Sequence, residues 1–394
     1  MSTSSSSILV LNGGSSSIRF AMVRADDALT PVCSGTLNRI GHADAHLRLD
    51  GDSSMTPLQA ADHHQAVQSL VQWLRQRGEA DALAAVGHRI VHGMAHFDPE
   101  RVTPALLAEL KHIEPVDPDH LPVEIRLVEA AQSALPEVPH VACFDTRFHR
   151  DLPRVAATLP IPRRYEAQGV RRYGFHGLSY EFLLAELARL HGTRAARGRV
   201  ILAHLGSGAS LAAVRDGRCI DTTMSFTSTA GLVMGTRSGD LDPGLAPYLQ
   251  RTEGLTSAQF HAMVNHESGL LGVSETSADM RELQAAEADD PRAADAIALF
   301  CYQARKAIGG FAAALGGLDT LVFAGGIGEN APAIRARICD GLQFLGVEID
   351  GRRNADAPGL ISSSTGRVAL HVIPTNEAHV IARHVRDLLA QGTR

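Results

Sequence analysis

A strand, a turn rich in glycine and serine, and a second strand occur twice in this chain, and the repetition limits the folds open to it. Residues 8–23 read ILVLNGGSSSIRFAMV and residues 200–214 read VILAHLGSGASLAAV. Setting Gly14 against Gly206 places the copies about half of the 394-residue chain apart. A chain of this length exceeds what one hydrophobic core usually serves, so at least two domains are expected. Two duplicated α/β halves, each with a phosphate-gripping hairpin, would give the pattern. Two unrelated hairpins with glycine turns would give it too.

Strands and helices alternate between and after the copies. Residues 64–77 carry Val67, Leu70, Val71 and Leu74 at helical spacing, and residues 121–134 carry Ile125, Val128 and Ala131 likewise. Residues 138–144 predict a buried strand leading into Asp145. Helices are predicted over 256–265, over 293–315 with an interruption at Gly309-Gly310, and over 332–345. Strands are predicted over 320–324 and 368–373, a closing helix over 377–389, and a surface loop over 352–367. The alternation is that of an α/β protein. No low-complexity linker separates the halves, which puts a domain boundary near residues 144–160.

Composition excludes several classes of function. A net charge of -6 gives no electrostatic footprint for nucleic acid or an acidic membrane. No apolar stretch approaches the ~20 residues of a membrane span, and the first residues lack the basic and apolar regions of a signal peptide. The five scattered cysteines form no CxxC pair and suit a reduced, cytoplasmic protein. Among the 37 basic residues only Lys111 and Lys306 are lysine, so a single arginine is weak evidence for an anion site here.

Arginines set among glycines are stronger evidence. Arg89 lies in GHRIVHG and Arg237 in MGTRSGDLDP, settings that favour an anion clamp over a solvated helix face. The turns at 12–17, 204–208 and 325–330 offer concave sets of backbone amides for phosphate oxygens. The last of these joins a strand to a helix start, where anions are favoured. There is no GxxxxGK[ST], which excludes a P-loop protein. His88 and His92 share the spacing of zinc ligands on a helix, but Ile90-Val91 between them favours a strand and argues against metal there. Asp145 follows a predicted strand, where open α/β sheets bind ligands. His176 stands between glycines in RRYGFHG, a loop setting rather than a core one.

These segments, with SGLLGVSETSADMREL at 268–283 and IPTNEAHVIA at 373–382, resemble the acetate kinase family. That family is grouped with sugar kinases, heat-shock-70 proteins and actin. The resemblance runs nearly end to end and implies two duplicated actin-like (ribonuclease H-like) ATPase domains with a cleft between them. Their implied bounds are 1–147 plus 380–394, and 148–379. It implies reversible transfer of the ATP γ-phosphoryl to acetate, giving acetyl phosphate and ADP, by a cytoplasmic homodimer without nucleic-acid or membrane partners.

The resemblance also implies roles for particular residues. Asn12 and Glu377 would hold Mg2+, with Mn2+ as a substitute. The nucleotide would meet Arg19, His204, Leu205, Gly206, Ser207 and Gly208. It would also meet Asp279, Met280 and Arg281, then Gly326, Ile327, Gly328, Glu329 and Asn330. Arg89 and Arg237 would clamp the carboxylate and the phosphoryl in flight, with His176 donating to the latter. Asp145 is the family's catalytic carboxylate. Acetate is already ionised at neutral pH and needs no base, so Asp145 is expected to orient Arg237 or a metal-bound water. Val91, Phe175 and Ser228 would line the pocket for the substrate's methyl group.

The chain departs from the family pattern in places. Arg19 stands for lysine, Ser207 for asparagine, Tyr180 for histidine, and Ser228 and Ala230 for proline and glutamate. HIEPVDPDHL at 112–121 replaces the family's LAPLHNPxNL, so its histidine becomes Asp117 or shifts to His120, and Val116 takes the place of a leucine. A wider pocket would follow, and with it propionate as an alternative substrate. A nucleotide-driven clamp on the same fold is the non-enzymatic alternative, disfavoured because a clamp needs no carboxylate site. A sugar kinase would need a base for a neutral hydroxyl.

Overall fold

The computed structural model describes residues 6–391. The chain divides into two compact units, Met1–Arg147 with Asn376–Arg394, and Phe148–Thr375. Residues 1–5 and 392–394, which the expected domain bounds include, lie outside the described residues.

In the first unit β1 (Ser7–Gly14), β2 (Ser17–Arg24) and β3 (Pro31–Asn38) form an antiparallel meander. β4 (His46–Leu49) and β5 (Thr56–Pro57) extend it. On the other side of β1, β6 (Leu83–Ile90) pairs parallel, then β8 (His140–Phe144) parallel to β6, with β7 (Glu100–Arg101) at the edge. The sheet order is β5-β4-β3-β2-β1-β6-β8-β7. The second unit holds β9 (Val200–Leu205), β10 (Ala209–Arg215), β11 (Arg218–Thr222), β12 (Thr320–Ala324), β13 (Gly359–Leu360) and β14 (Ala369–Val372). Its order, β11-β10-β9-β12-β14-β13, repeats the first sheet's β3-β2-β1-β6-β8 core strand for strand. The duplication expected from the two glycine turns is therefore a duplication of topology.

Parallel neighbours require crossovers, and helices supply them. His63–Gln76 links β3–β5 to β6 and buries Ala66, Val67, Leu70, Val71 and Leu74, the apolar stripe read from the sequence. Leu121–Ala134 precedes β8 and buries Leu121, Ile125, Leu127 and Val128, each worth roughly 2 kcal/mol of apolar burial. In the second unit Pro291–Leu315 makes the β11-to-β12 crossover as one unbroken helix. The expected interruption is absent because Gly309 and Gly310 face open space while Ile308, Phe311 and Ala312 are buried.

The helices that follow each sheet's last parallel strand are exchanged. Gly177–His191 comes after β8 but packs with the second unit, where Tyr180, Leu183 and Leu187 join the core of β9 and β10. Glu377–Gln391 comes after β14 but packs on β1 and β6 of the first unit. Gly87 makes that contact possible, since a Cβ there would lie 2.5 Å from Ile381 Cγ2. No helix among the described residues is long and apolar enough to cross a membrane.

Candidate active site

The carboxyl ends of β1, β6 and β8 carry the first unit's candidate groups, as expected for an open α/β sheet. Asn12, two residues before the end of β1, pairs across the hairpin with Arg19, so the two side chains share one face; Arg19 is exposed. Arg89 lies one residue before the end of β6, and Asp145 follows β8 with its amide donating to the Ile90 carbonyl at 2.9 Å. Arg89 Nη2 donates to Asp145 Oδ2 at 2.8 Å, and its Nε lies 3.6 Å from Glu377 Oε2. Asp145 is fully buried. Burial works against the charge on Arg89, but Asp145, Glu377 and Glu124 outweigh it and hold its pKa above the ordinary value.

Glu124 is a residue that sequence reasoning missed. It is 2% exposed, and its Oε2 accepts the Val91 amide at 2.9 Å, fixing the backbone just past Arg89. Its other oxygen, Oε1, is buried without a hydrogen-bond partner. Burial, only partly offset by Arg89, His120 and the Val91 amide, pushes its pKa up to about 7. The signal was present: Glu124 sits among Leu121, Ile125 and Val128 on an apolar helical face, where an unexplained carboxylate is rare. Beside it Asp117 accepts from His120 Nδ1 at 2.8 Å, so the two positions weighed for the family histidine form a pair. His92 Nδ1 accepts the Met94 amide and His88 Nε2 donates to His140 Nδ1 at 2.9 Å. The zinc-like spacing of His88 and His92 thus serves two separate contacts.

In the second unit the β9–β10 hairpin closes at Gly206-Ser207-Gly208, with the Gly206 amide donating to the Gly208 carbonyl at 3.0 Å. The helix Gly325–Asn330 starts beside it. Gly325, at φ 76°, brings its backbone so near Leu205 that a Cβ would lie 2.7 Å from the Leu205 carbonyl oxygen. Glu329 Oε1 accepts the amides of Gly325 and Thr375, so its carboxylate holds the loop's own backbone. Asn330 donates to the Gly326 carbonyl. Arg335, 1% exposed, pins the far end by donating to the carbonyls of Gly328, Glu329 and Asn354 and to Asn354 Oδ1. The expected helix over 332–345 stops at Cys339, where Gly341 turns the chain at φ 86°.

Around Gly208 two side chains converge. A Cβ there would lie 3.3 Å from His176 Nε2 and 3.5 Å from Arg237 Nη2. Arg237 Nη1 donates to the Ser228 carbonyl at 2.8 Å, and the Gly235 amide donates to the Ser207 carbonyl, tying the arginine's loop to the β9–β10 turn. His176 has a left-handed backbone, φ 57°, and its ring stacks on His204 with centroids 4.3 Å apart. Phe175 is buried, and its carbonyl accepts from His149 Nε2 at 2.9 Å. Asp279 caps the helix Met280–Ala286 through the Arg281 amide. The side-chain and backbone hydrogen bonds from Arg281 hold the Asp279 carboxyl down at about 2. Met280 points into the core, which leaves its backbone for any ligand, while Arg281 is exposed.

The structure thus gathers Asn12, Arg19, Arg89, Val91, Asp145 and Glu377 in the first unit. It gathers His176, His204, Gly206–Gly208, Arg237 and Gly326–Asn330 in the second. Residues 7–383 match the Acetokinase family. The chain belongs to that family. Among acetokinase relatives, an acetate kinase of Rhodopseudomonas palustris is 45% identical over 98% of this chain and 99% of its own. A propionate kinase of Citrobacter rodentium is 43% identical over 98% of each chain. The solved structure of a propionate kinase from Francisella tularensis superposes with a TM-score of 0.91 at 34% identity, covering 96% of this chain and 98% of that one. Acetokinase membership accounts for the two-sheet duplication, and the chain is a kinase of that family.

Proposed function

We propose that this chain is an acetate kinase, transferring the ATP γ-phosphoryl reversibly to acetate to give acetyl phosphate and ADP. The carrying observation is a pair of guanidinium groups aimed by their surroundings in an acetokinase chain. Arg89 is held by Asp145 and Glu377, and Arg237 is fixed by the Ser228 carbonyl beside Gly208. On this proposal acetate belongs to Arg89 with Val91 and Phe175. ATP belongs to Arg19, His204–Gly208, Asp279–Arg281 and Gly326–Asn330.

The reaction joins two anions, so positive charge and alignment matter more than covalent chemistry. A carboxylate oxygen of acetate attacks the γ-phosphorus. The new O–P bond forms as the bond to the β–γ bridging oxygen breaks, and that electron pair leaves with ADP. Arg237 and His176 donate to the phosphoryl oxygens as charge spreads over them. Asp145 accepts from Arg89, which supports an orienting role toward Arg89 rather than a base; orientation of Arg237 or of a metal-bound water, the expectation from sequence, stays part of the proposal.

Asn12 and Glu377 offer an amide and a carboxylate oxygen, a donor set suited to a hard divalent cation that keeps several waters. No cluster of three or more His, Cys, Asp or Glu residues that could hold a metal occurs among the described residues. Magnesium, with manganese as a substitute, would neutralise phosphate charge there when bound. The homodimer and the cytoplasmic location belong to this same proposal, and sedimentation of the purified protein tests the first.

Propionate is the second reading, supported by Val116 and Ser228 at pocket positions where the family has leucine and proline. Trapping acyl phosphate with hydroxylamine, with ATP and acetate, propionate or butyrate in parallel, tests both. Hydroxamate should form with acetate and fall away in excess chelator. ADP release without hydroxamate from any acid would favour the clamp instead.

A further inference from the structure

Two buried hydroxyls beside His176 have no part in the reaction as described. Ser210 Oγ lies 2.8 Å from His176 Nδ1, and Tyr180 Oη hydrogen-bonds to the same Oγ. Both side chains are fully buried, Ser210 on β10 and Tyr180 in the first turn of the helix Gly177–His191. A neutral imidazole carries its proton on one nitrogen, and the partner of the other nitrogen selects which. A phenol, with a pKa of about 10, is a stronger acid and a better donor than an aliphatic alcohol. That difference in acidity favours a chain from Tyr180 O–H to Ser210 Oγ, and from Ser210 O–H to His176 Nδ1. Each hydroxyl donates once, Nδ1 accepts, and the ring proton sits on Nε2. That nitrogen faces the second phosphate turn, 3.3 Å from a Cβ position on Gly208 that the glycine leaves empty. Stacking on His204, with 27° between the planes, holds the ring from its other side.

We propose that Tyr180 and Ser210 are positioning residues that hold His176 as its Nε2–H tautomer, so that it presents a donor to the phosphoryl oxygens. The inference rests on the kinase reading above. In the opposite tautomer Nε2 would turn a lone pair toward phosphate oxygen, a repulsive contact where catalysis needs an attractive one.

Full-length Ser210→Ala and Tyr180→Phe test it by 15N-histidine NMR together with steady-state kinetics, with His176→Gln assigning the resonances. The wild-type spectrum should show His176 with Nε2 protonated. Ser210→Ala should populate both tautomers and lower kcat about tenfold, with KM values within about twofold, the split expected for an interaction made in the transition state. Tyr180→Phe should do the same more weakly, about threefold, because Ser210 keeps its hydroxyl. An unchanged tautomer in both variants would overturn the proposal, and so would a fall in kcat without a change of tautomer. The spectra are read without substrate, so they stand apart from the kinase reading. Undiminished turnover in His176→Gln would count against that reading instead.

Discussion

Around Arg89 the first unit sets charge against charge, with a guanidinium between a buried aspartate and a glutamate, and a second buried carboxyl beneath them. Around Gly208 the second unit uses backbone amides, two stacked imidazoles and one arginine held by a carbonyl. Both sets sit at equivalent places of the same duplicated sheet, at the ends of β1 and β6 and of β9 and β12. The same scaffold thus supports two electrostatic styles. In the first, removing one partner strands another in a dry place. In the second, the frame is held by backbone and carbonyl contacts and should stand when a side chain is removed.

Paired arginine substitutions break the comparison most sharply. Arg89→Ala should destabilise the protein by about 3 kcal/mol, because buried Asp145 loses its partner, and should also raise the KM for acetate. Arg237→Ala should lower kcat by at least ~10²-fold while thermal stability changes by only about 1 kcal/mol. Thermal unfolding and kinetics on both variants decide it; equal stability losses would erase the distinction. Arg335→Ala should cost about 3 kcal/mol through a cavity and unpaired carbonyls, and should raise the KM for ATP while that for acetate stays put.

A pH series sharpens the contrast further. Glu124 has its pKa raised from an ordinary 4.5 to about 7, so its contribution to stability is fully present below 4.5 and lost as pH rises through 7. Glu124→Gln keeps an acceptor for the Val91 amide and should flatten that loss, on the order of 3 kcal/mol, in melts from pH 5 to 9. His88 works in the other direction. Burial and His140 hold its pKa well below 6.5, so its contribution is present above 6.5 and lost as pH falls. The smallest effect concerns substrate choice. With Ser228 in place, propionate kcat/KM should lie within about tenfold of acetate, about 1.4 kcal/mol, and Ser228→Pro should widen the gap. An acetate preference above about a hundredfold, unmoved by the substitution, would remove Ser228 from the pocket.

Local signals make much of this legible in the sequence. The glycine turns sit at the hairpin tips, and residues 121–134 and 320–324 form the helix and strand that their apolar patterns predict. What escaped was decided by packing. Gly309-Gly310 does not interrupt its helix because the neighbouring apolar residues are buried on the other face. The loop expected over 352–367 overlaps a short helix, Gly351–Ala355, and the strand β13. Asp350 caps that helix and Asn354 is buried against Arg335. Among the candidate groups, Arg89, Arg237 and His176 stood out through their glycine neighbours. Glu124 and Arg335 did not, since Glu124 meets a backbone amide 33 residues away and Arg335 meets mostly backbone carbonyls, groups that no sequence pattern marks. A buried charge on an apolar face was the clue, and the prevalence of arginine hid Arg335 among many others.

The exchange of terminal helices has a consequence for how the chain comes into being. Synthesis delivers β1 and β6 first, yet the helix that covers Gly87 and carries Glu377 is encoded after the whole second unit. A nascent chain therefore shows one face of its first sheet bare while the whole second unit is being made. The first unit can close its hydrophobic face, and bring Glu377 to Arg89, only after the second unit has been translated. Arrival of that helix makes the Arg89–Glu377 contact wait on synthesis of the second unit.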